Sequence, residues 1–331
     1  MTASNKAAPV PTSFGFIGLG AMGKPMALNL AKKLPPGSRV HVYDIAASAV
    51  DELCHAQPGN VIACKNAKDV TMKSEVVFTI VPEGSHVKSV YLDAETGIVA
   101  GLLSSASTAA PKIVIDSSTI DIATSILVKE QLASSSPATA FYDAPVSGGV
   151  LRASSGTIAF FLGCSKDDSN LPLLTSLMRT MGSEVITCGG HSLGLAAKLS
   201  NNYLSGIITI ACSEAMDMGM RAGIDADVLA SVFKAGTAQN TICDVFNPVP
   251  GVCPAAPSSH GYRGGFRVQL MRKDIGLAVD MARQLGSRNV LGTSGLGVYA
   301  AASAAPDCKD LDSRVVFRYI GGNEHWAKKD S

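Results

Sequence analysis

Apolar and polar positions divide this chain into two differently patterned parts. From Phe14 to about Ala140, short apolar runs alternate with longer mixed segments. "FGFIG" reads as a strand, residues 21–34 as a helix, "RVHVYD" as a strand, "AASAVDELCHA" as a helix and "VIAC" as a short strand. "SEVVFTIVP" and "KIVIDSST" are strands of the continuous, β-branched kind that is buried on both faces. Strands alternating with helices require right-handed crossovers, which predict an α/β fold with a doubly wound parallel sheet. "AFYDAPVSGG" and "GTIAFFLG" add strands, "LPLLTSLMRTMG" a helix and "SEVITCGG" a last strand. The pattern changes near Gly189. Residues 192–222 contain no proline and are apolar on almost every face, which predicts a long buried helix. Further helices are expected over 226–234, 268–285 and 291–304, with a Pro/Gly loop, 247–266, between them. The expected organisation is a leader over 1–13, an α/β domain over 14–190 and an all-helical domain over 191–331.

The turn after the first strand carries Gly18, Gly20 and Gly23, spaced G-x-G-x-x-G, and opens a helix. In a β-α-β unit this spacing marks a dinucleotide site. Gly18 permits the tight turn, Gly20 lets the backbone approach a pyrophosphate, and Gly23 lets helix and strand pack closely. The helix N-terminus then offers unpaired N–H groups to the phosphates. Leu19, Ala21 and Met22 belong to the same loop. Asp44 lies 24 positions beyond Gly20, at the end of "RVHVYD", where an acid accepts hydrogen bonds from a ribose 2′-OH and repels a 2′-phosphate. Residues 45–49, "IAASA", hold no cation for such a phosphate, so NAD is expected over NADP. Asp44 could serve as a helix cap as well. Strand ends in an open α/β sheet face the ligand crevice, which nominates Val81 and Pro82 after "VVFTI" and Ser118 and Thr119 after "KIVID".

Composition narrows the partners. The 331 residues are 47% hydrophobic and 17% charged, with a net charge of +1. Near-neutrality gives no reason to expect a nucleic acid or an acidic membrane. No apolar run reaches the roughly 18 residues that span a bilayer. The apolar long helix suggests burial in a homo-oligomer. Eight cysteines lie far apart, none in a C-x-x-C pair, and are expected to be reduced thiols. Asp116 and Asp121, near Lys112, are isolated carboxylates on a strand-to-loop segment, and no metal is expected. Met26, Met216, Met218 and Met220 read as helix packing. His325 and Trp326 lie in a polar tail and receive no role. "MTASNKAAPVPTS" lacks an apolar signal core and is not a good transit peptide.

Four segments, in order, resemble the β-hydroxyacid dehydrogenase family: "GFIGLGAMGKPMALNL", "DAPVSGG" at 143–149, "GLAAKLSNN" at 194–202 and "LMRKDIGLA" at 270–278. The resemblance implies a Rossmann domain followed by a helical one. "IDSSTID", "NPVPGV" and "GGF" are most similar to members that oxidise (S)-3-hydroxyisobutyrate to methylmalonate semialdehyde with NAD, in valine breakdown. That setting implies the mitochondrial matrix in a eukaryote and the cytoplasm otherwise. It makes Lys198 the general base and Asn202, four residues on and on the same helix face, its partner at the substrate. To act near neutral pH, such a lysine must lose its proton more easily than a free one, through desolvation or a nearby cation such as Lys273. Ser147, Gly148 and Gly149 are expected to clamp the carboxylate of a small 3-hydroxy acid, through open backbone N–H groups and a hydroxyl. The resemblance also implies cofactor contacts from Phe266 and Lys273. His86 stands where relatives carry Asn, which weakens that contact. Asp274 is expected to orient Lys273 or cap its helix. Two other readings remain: reduction of a short semialdehyde or glyoxylate, such as tartronate semialdehyde, and a non-catalytic dinucleotide-binding module. Loss of the lysine would favour the latter, and Lys198 is present.

Overall fold

The computed structural model describes residues 11–105 and 112–326. Most of the expected leader lies outside them. The chain divides into two compact units, the first ending at Lys198 and the second beginning at Leu199.

The first unit is built on six parallel strands: β1 (Ser13–Ile17), β2 (Arg39–Tyr43), β3 (Val61–Ala63), β4 (Val76–Thr79), β5 (Ile113–Asp116) and β6 (Ala140–Asp143). They lie in the order 3-2-1-4-5-6, the doubly wound Rossmann arrangement. Both sheet faces are covered, as the unbroken apolar runs require. Phe14, Phe16, Val40, Val42 and Phe78 face one core with Met26 and Leu30 of the helix Gly23–Lys33. Ile17, Val77 and Val114 face the other, with Val70, Val87 and Val128.

The strands after Asp143 do not extend this sheet. β7 (Val146–Ser147), β8 (Ile158–Leu162) and β9 (Gly182–Thr187) form a separate small sheet, β7 antiparallel and β9 parallel to β8. The run read as one strand, "AFYDAPVSGG", is split at Pro145. Its nitrogen has no hydrogen to donate, and its carbonyl accepts from Phe161 instead.

The long helix spans Leu193–Arg221, close to its expected bounds. It is not buried all round, however: Leu204 is 59% and Met218 70% exposed. Its exposed residues, Leu193, Ser200, Asn201, Leu204, Ala211, Glu214, Met218 and Arg221, lie almost all at intervals of three, four or seven positions, so one stripe faces outward. Met218 is therefore no packing residue of this chain, whereas Met26 and Met216 are fully buried. The helices Ala226–Ala235, Val268–Gln284 and Gly292–Ala304 match the expected ones within two residues. Loop 247–266 is well packed. Asn247 and Tyr262 are fully buried, the Ser258 hydroxyl donates to the Asn247 carbonyl (2.6 Å), and the Tyr262 hydroxyl donates to Pro248 (2.9 Å). Trp326 has a structural role that its polar surroundings concealed, because its indole N–H donates to Pro250 (2.8 Å).

Candidate active site

The glycine loop has the form its spacing implies. Gly18 has φ +93°, and a Cβ there would strike the Ile80 carbonyl oxygen. Its N–H donates to Tyr43 O at 3.0 Å, fastening the turn to the end of β2. A Cβ on Gly23 would collide with the Gly18 carbonyl, so the helix Gly23–Lys33 approaches the turn as closely as it does only with glycine there. Around Gly20 the space is open: a Cβ would meet nothing within 4 Å, and the residue is exposed. Two glycines serve the turn's own packing and the middle one leaves room, as a pyrophosphate resting on the backbone would require. Leu19 is buried, Ala21 exposed and Met22 half-buried.

Asp44 follows β2, which ends at Tyr43, rather than ending it. One carboxylate oxygen accepts from the N–H of Leu19, inside the glycine loop, at 2.6 Å. The other accepts from Ala46 two residues on, at 2.7 Å. Asp44 is not a helix cap, since the cap of Ala47–Ala56 is Ala46. It clasps the glycine loop to the end of β2. Ile45 beside it is 89% exposed and uncharged.

The ends of β4 and β5 are tied by a buried network. The Val81 N–H donates to the Ser118 hydroxyl (2.9 Å), and that hydroxyl donates to Asp116 (2.6 Å). The Thr79 hydroxyl donates to the same Asp116 oxygen (2.8 Å). Ser118 is 1% exposed and holds the strand-end backbone in place. Pro82 and His86 are exposed, and Thr119 is half-buried. Burial pushes the Asp116 carboxyl up, against the hydrogen bonds of Ser118 and Thr79 that lower it. Asp121 caps the helix Ile122–Ser135 through Thr124. Lys112 donates to the carbonyls of Thr71 (2.9 Å) and Ser74 (2.5 Å).

Asp143, the register partner of Asp116 on β6, is 1% exposed. Its carboxylate accepts from Ser192 N (2.7 Å) and Leu195 N (2.9 Å), and so caps the start of the long helix. His191 Nδ1 lies 3.5 Å away. Burial pushes the Asp143 carboxyl up and the His191 imidazole down. A side chain on Gly163 or Gly194 would run into the Asp143 carboxylate, and one on Gly194 would also hit the Phe161 carbonyl. The glycine of G-x-x-x-K-x-x-x-N therefore seats the helix, one turn before Lys198. Lys198 and Asn202 are 7% and 6% exposed. Sequence reading assigned no role to Asp143 or His191. An acid ending an otherwise apolar strand was the available signal. Ser147 ends β7, and Gly148 and Gly149 follow with φ +133° and +71°, both exposed, the backbone freedom that two glycines supply.

In the second unit, Asp274 joins two expected site residues. Asn202 Nδ2 donates to it at 2.6 Å, and Lys273 Nζ lies 3.2 Å from its other oxygen. Asp274 sits inside the helix Val268–Gln284, so it orients Lys273 and does not cap. Phe266, half-buried, is held by a residue that sequence reading missed: its N–H donates to Asp312 at 2.7 Å. Asp312 is fully buried and ion-paired with Arg314 at 2.9 Å. A Cβ on Gly265 would strike that carboxylate, which accounts for the second glycine of the "GG" before Phe266.

With this geometry in view, comparison with known proteins is specific. Residues 13–190 match the NAD binding domain of 6-phosphogluconate dehydrogenase. Residues 192–320 match the family described as NAD-binding of NADP-dependent 3-hydroxyisobutyrate dehydrogenase. The chain is 38% identical to the probable mitochondrial 3-hydroxyisobutyrate dehydrogenase of Dictyostelium discoideum, over 93% of this chain and 91% of that one. It is also 38% identical to an NAD-dependent L-serine dehydrogenase of Pseudomonas aeruginosa, over 86% and 90% of the two chains. Among solved structures, Mycobacterium tuberculosis 3-hydroxyisobutyrate dehydrogenase with L-serine superposes with a TM-score of 0.80 at 31% identity, covering 93% of this chain and 99% of that one.

Proposed function

The chain belongs to the 3-hydroxyisobutyrate dehydrogenases of the β-hydroxyacid dehydrogenase family and is an NAD-dependent hydroxyacid dehydrogenase; from that premise we propose that it oxidises (S)-3-hydroxyisobutyrate to methylmalonate semialdehyde in valine breakdown. The observation that carries the substrate is the identity to a named 3-hydroxyisobutyrate dehydrogenase over nearly the whole chain. In a eukaryote the proposed setting is the mitochondrial matrix and otherwise the cytoplasm; the word mitochondrial in the Dictyostelium relative's name supports the first. The proposed assembly is a homo-oligomer, a reading supported by the exposed Leu204 and Met218 on the long helix.

In this reading NAD, when bound, would supply the acceptor for the hydride of the carbinol carbon. Lys198 Nζ takes the hydroxyl proton. Asn202, its amide fixed by Asp274, orients the reacting groups. The Ser147 hydroxyl and the N–H groups of Gly148 and Gly149 hold the substrate carboxylate. Gly18 to Gly23, with Leu19, Ala21 and Met22, receive the pyrophosphate. Val81, Pro82, His86, Ser118, Thr119, Phe266 and Lys273 are the remaining proposed cofactor contacts. Asp44 sets the preference for NAD: its carboxylate repels a 2′-phosphate and no cation follows it.

The test is a panel of (S)-3-hydroxyisobutyrate, L-serine and the methyl ester of the first, each with NAD and NADP. The proposal expects the free hydroxyisobutyrate to have the highest kcat/KM with NAD and the ester to be inert. L-Serine, also a 3-hydroxy acid, is the second reading, on the strength of the L-serine dehydrogenase relative. A higher kcat/KM for serine would establish it. Lys198→Ala should lower kcat by about 10² to 10⁴ while NADH still binds by fluorescence. Near-normal kcat in that variant would remove Lys198 from the proton transfer.

A further inference from the structure

The helical unit contains a feature that hydride transfer does not use. Cys212, on the long helix, and Cys243, on the helix Thr241–Val245, place their sulfurs 3.3 Å apart in hydrogen-bond contact. Both residues are buried, at 4% and 5% exposure, in a cluster with Met216, Leu229 and Phe317. The pair is not symmetric. The side-chain amide of Asn240 donates to Cys243 Sγ at 3.1 Å, while its oxygen caps the helix through the Cys243 N–H at 3.0 Å. An amide donor already on Cys243 favours negative charge there, so the proton shared by the two sulfurs belongs on Cys212. The hydrogen bond from Cys212 draws the Cys243 thiol below its ordinary range, against burial, and the same contact pushes Cys212 up. A sulfur that accepts from the Asn240 amide is favoured in its nucleophilic thiolate form, and a thiol in contact with it is placed to resolve its oxidised form.

We propose that Cys212 and Cys243 are an oxidation site, at which hydrogen peroxide converts Cys243 to a sulfenic acid and Cys212 closes it to a disulfide. The Cys243 thiolate attacks the peroxide O–O bond. One oxygen stays on sulfur as S–OH, and the other leaves as hydroxide and becomes water on protonation. Cys212 sulfur then attacks Cys243 sulfur, the S–O bond breaks, and a second water leaves with the Cys212 proton. Two thiols lose two electrons in total, and one peroxide becomes two waters. The product covalently joins the long helix to the segment that leads into loop 247–266.

The test treats the full-length protein with hydrogen peroxide, blocks remaining thiols after unfolding, and maps peptides without reductant. A linked peptide of Cys212 and Cys243, two hydrogens lighter than the sum and absent after reduction, is the expected result. Cys212→Ser should leave Cys243 as a sulfenic acid captured by dimedone. Asn240→Asp keeps the capping oxygen but removes the amide donor, and should slow Cys243 oxidation by roughly tenfold, as one unit of thiol acidity would. Alkylation of both thiols after peroxide, or a disulfide that instead links Cys253 to either, overturns the site. An unchanged rate in Asn240→Asp overturns Cys243 as its nucleophile.

Discussion

At the scale of single residues, the three glycines of the first turn are not equivalent, and the difference can be measured. Gly23 has the Gly18 carbonyl where a side chain would begin, whereas Gly20 has open space. Gly23→Ala should therefore destabilise folding by about 1–3 kcal/mol through overpacking, lowering the melting temperature. Gly20→Val should leave the melting temperature nearly unchanged and weaken NADH binding, because its side chain occupies space proposed for the pyrophosphate. If Gly20→Val binds NADH as tightly as the parent, the phosphate lies elsewhere. Asp44 allows an independent check through charge. Asp44→Ser combined with Ile45→Arg should move the kcat/KM ratio towards NADP, since it removes a repelling carboxylate and supplies a guanidinium. An unchanged ratio would show that Asp44 only clasps Leu19.

Among the secondary-structure elements, what holds them in register is often one carboxylate reaching a distant backbone. Asp143 caps the long helix from β6. Glu75, just before β4, accepts at one oxygen from Thr12 N (2.8 Å), Ser13 N (3.0 Å) and the Ser13 hydroxyl (2.9 Å), pinning the start of β1 beside β4. Burial alone would push the Glu75 carboxyl up, but these hydrogen bonds together outweigh it and bring it below its ordinary value. A carboxyl lowered in the folded state stabilises at pH above its unfolded value, roughly 4.3, and the contribution is lost as pH falls through the lower folded value. Glu75→Gln should then cost about 1 kcal/mol at neutral pH. The difference from the parent should vanish in acid, as followed by urea denaturation across pH. A cost that persists below the folded value would mean the charge is not what matters.

For the molecule as a whole, each unit is closed by contacts between segments far apart in the chain. Asp312 binds Phe266 across 46 residues and pairs with Arg314, whose guanidinium also lies over the Phe246 ring at 4.7 Å. Removing one member of a buried pair leaves the other charge uncompensated. Asp312→Ala should cost about 3 kcal/mol or more, visible as a lower denaturation midpoint. Asp312→Asn, which keeps an acceptor for the Phe266 N–H, should cost less. Equal losses would place the effect in the ion pair alone. Trp326 and Pro250 join within the same unit, 76 residues apart.

The sequence by itself determined whatever rests on local pattern. The alternation of apolar runs specifies parallel strands and crossover helices, because burial on both faces leaves a strand no polar side. The helices Ala226–Ala235 and Val268–Gln284 were legible because their apolar residues recur at helical spacing. The glycine turn was legible because positive φ and close packing leave few other choices. Tertiary structure alone decided the rest. Pro145 ended one strand and began another sheet, since a run of apolar residues does not say which neighbour it will pair with. The long helix kept one stripe of mixed polar and apolar residues exposed, since a composition apolar on almost every face does not name the face left uncovered. Asp143, Glu75 and Asp312 looked like ordinary acids because their partners are backbone N–H groups 46 to 63 residues away, and a backbone N–H is the same in every sequence.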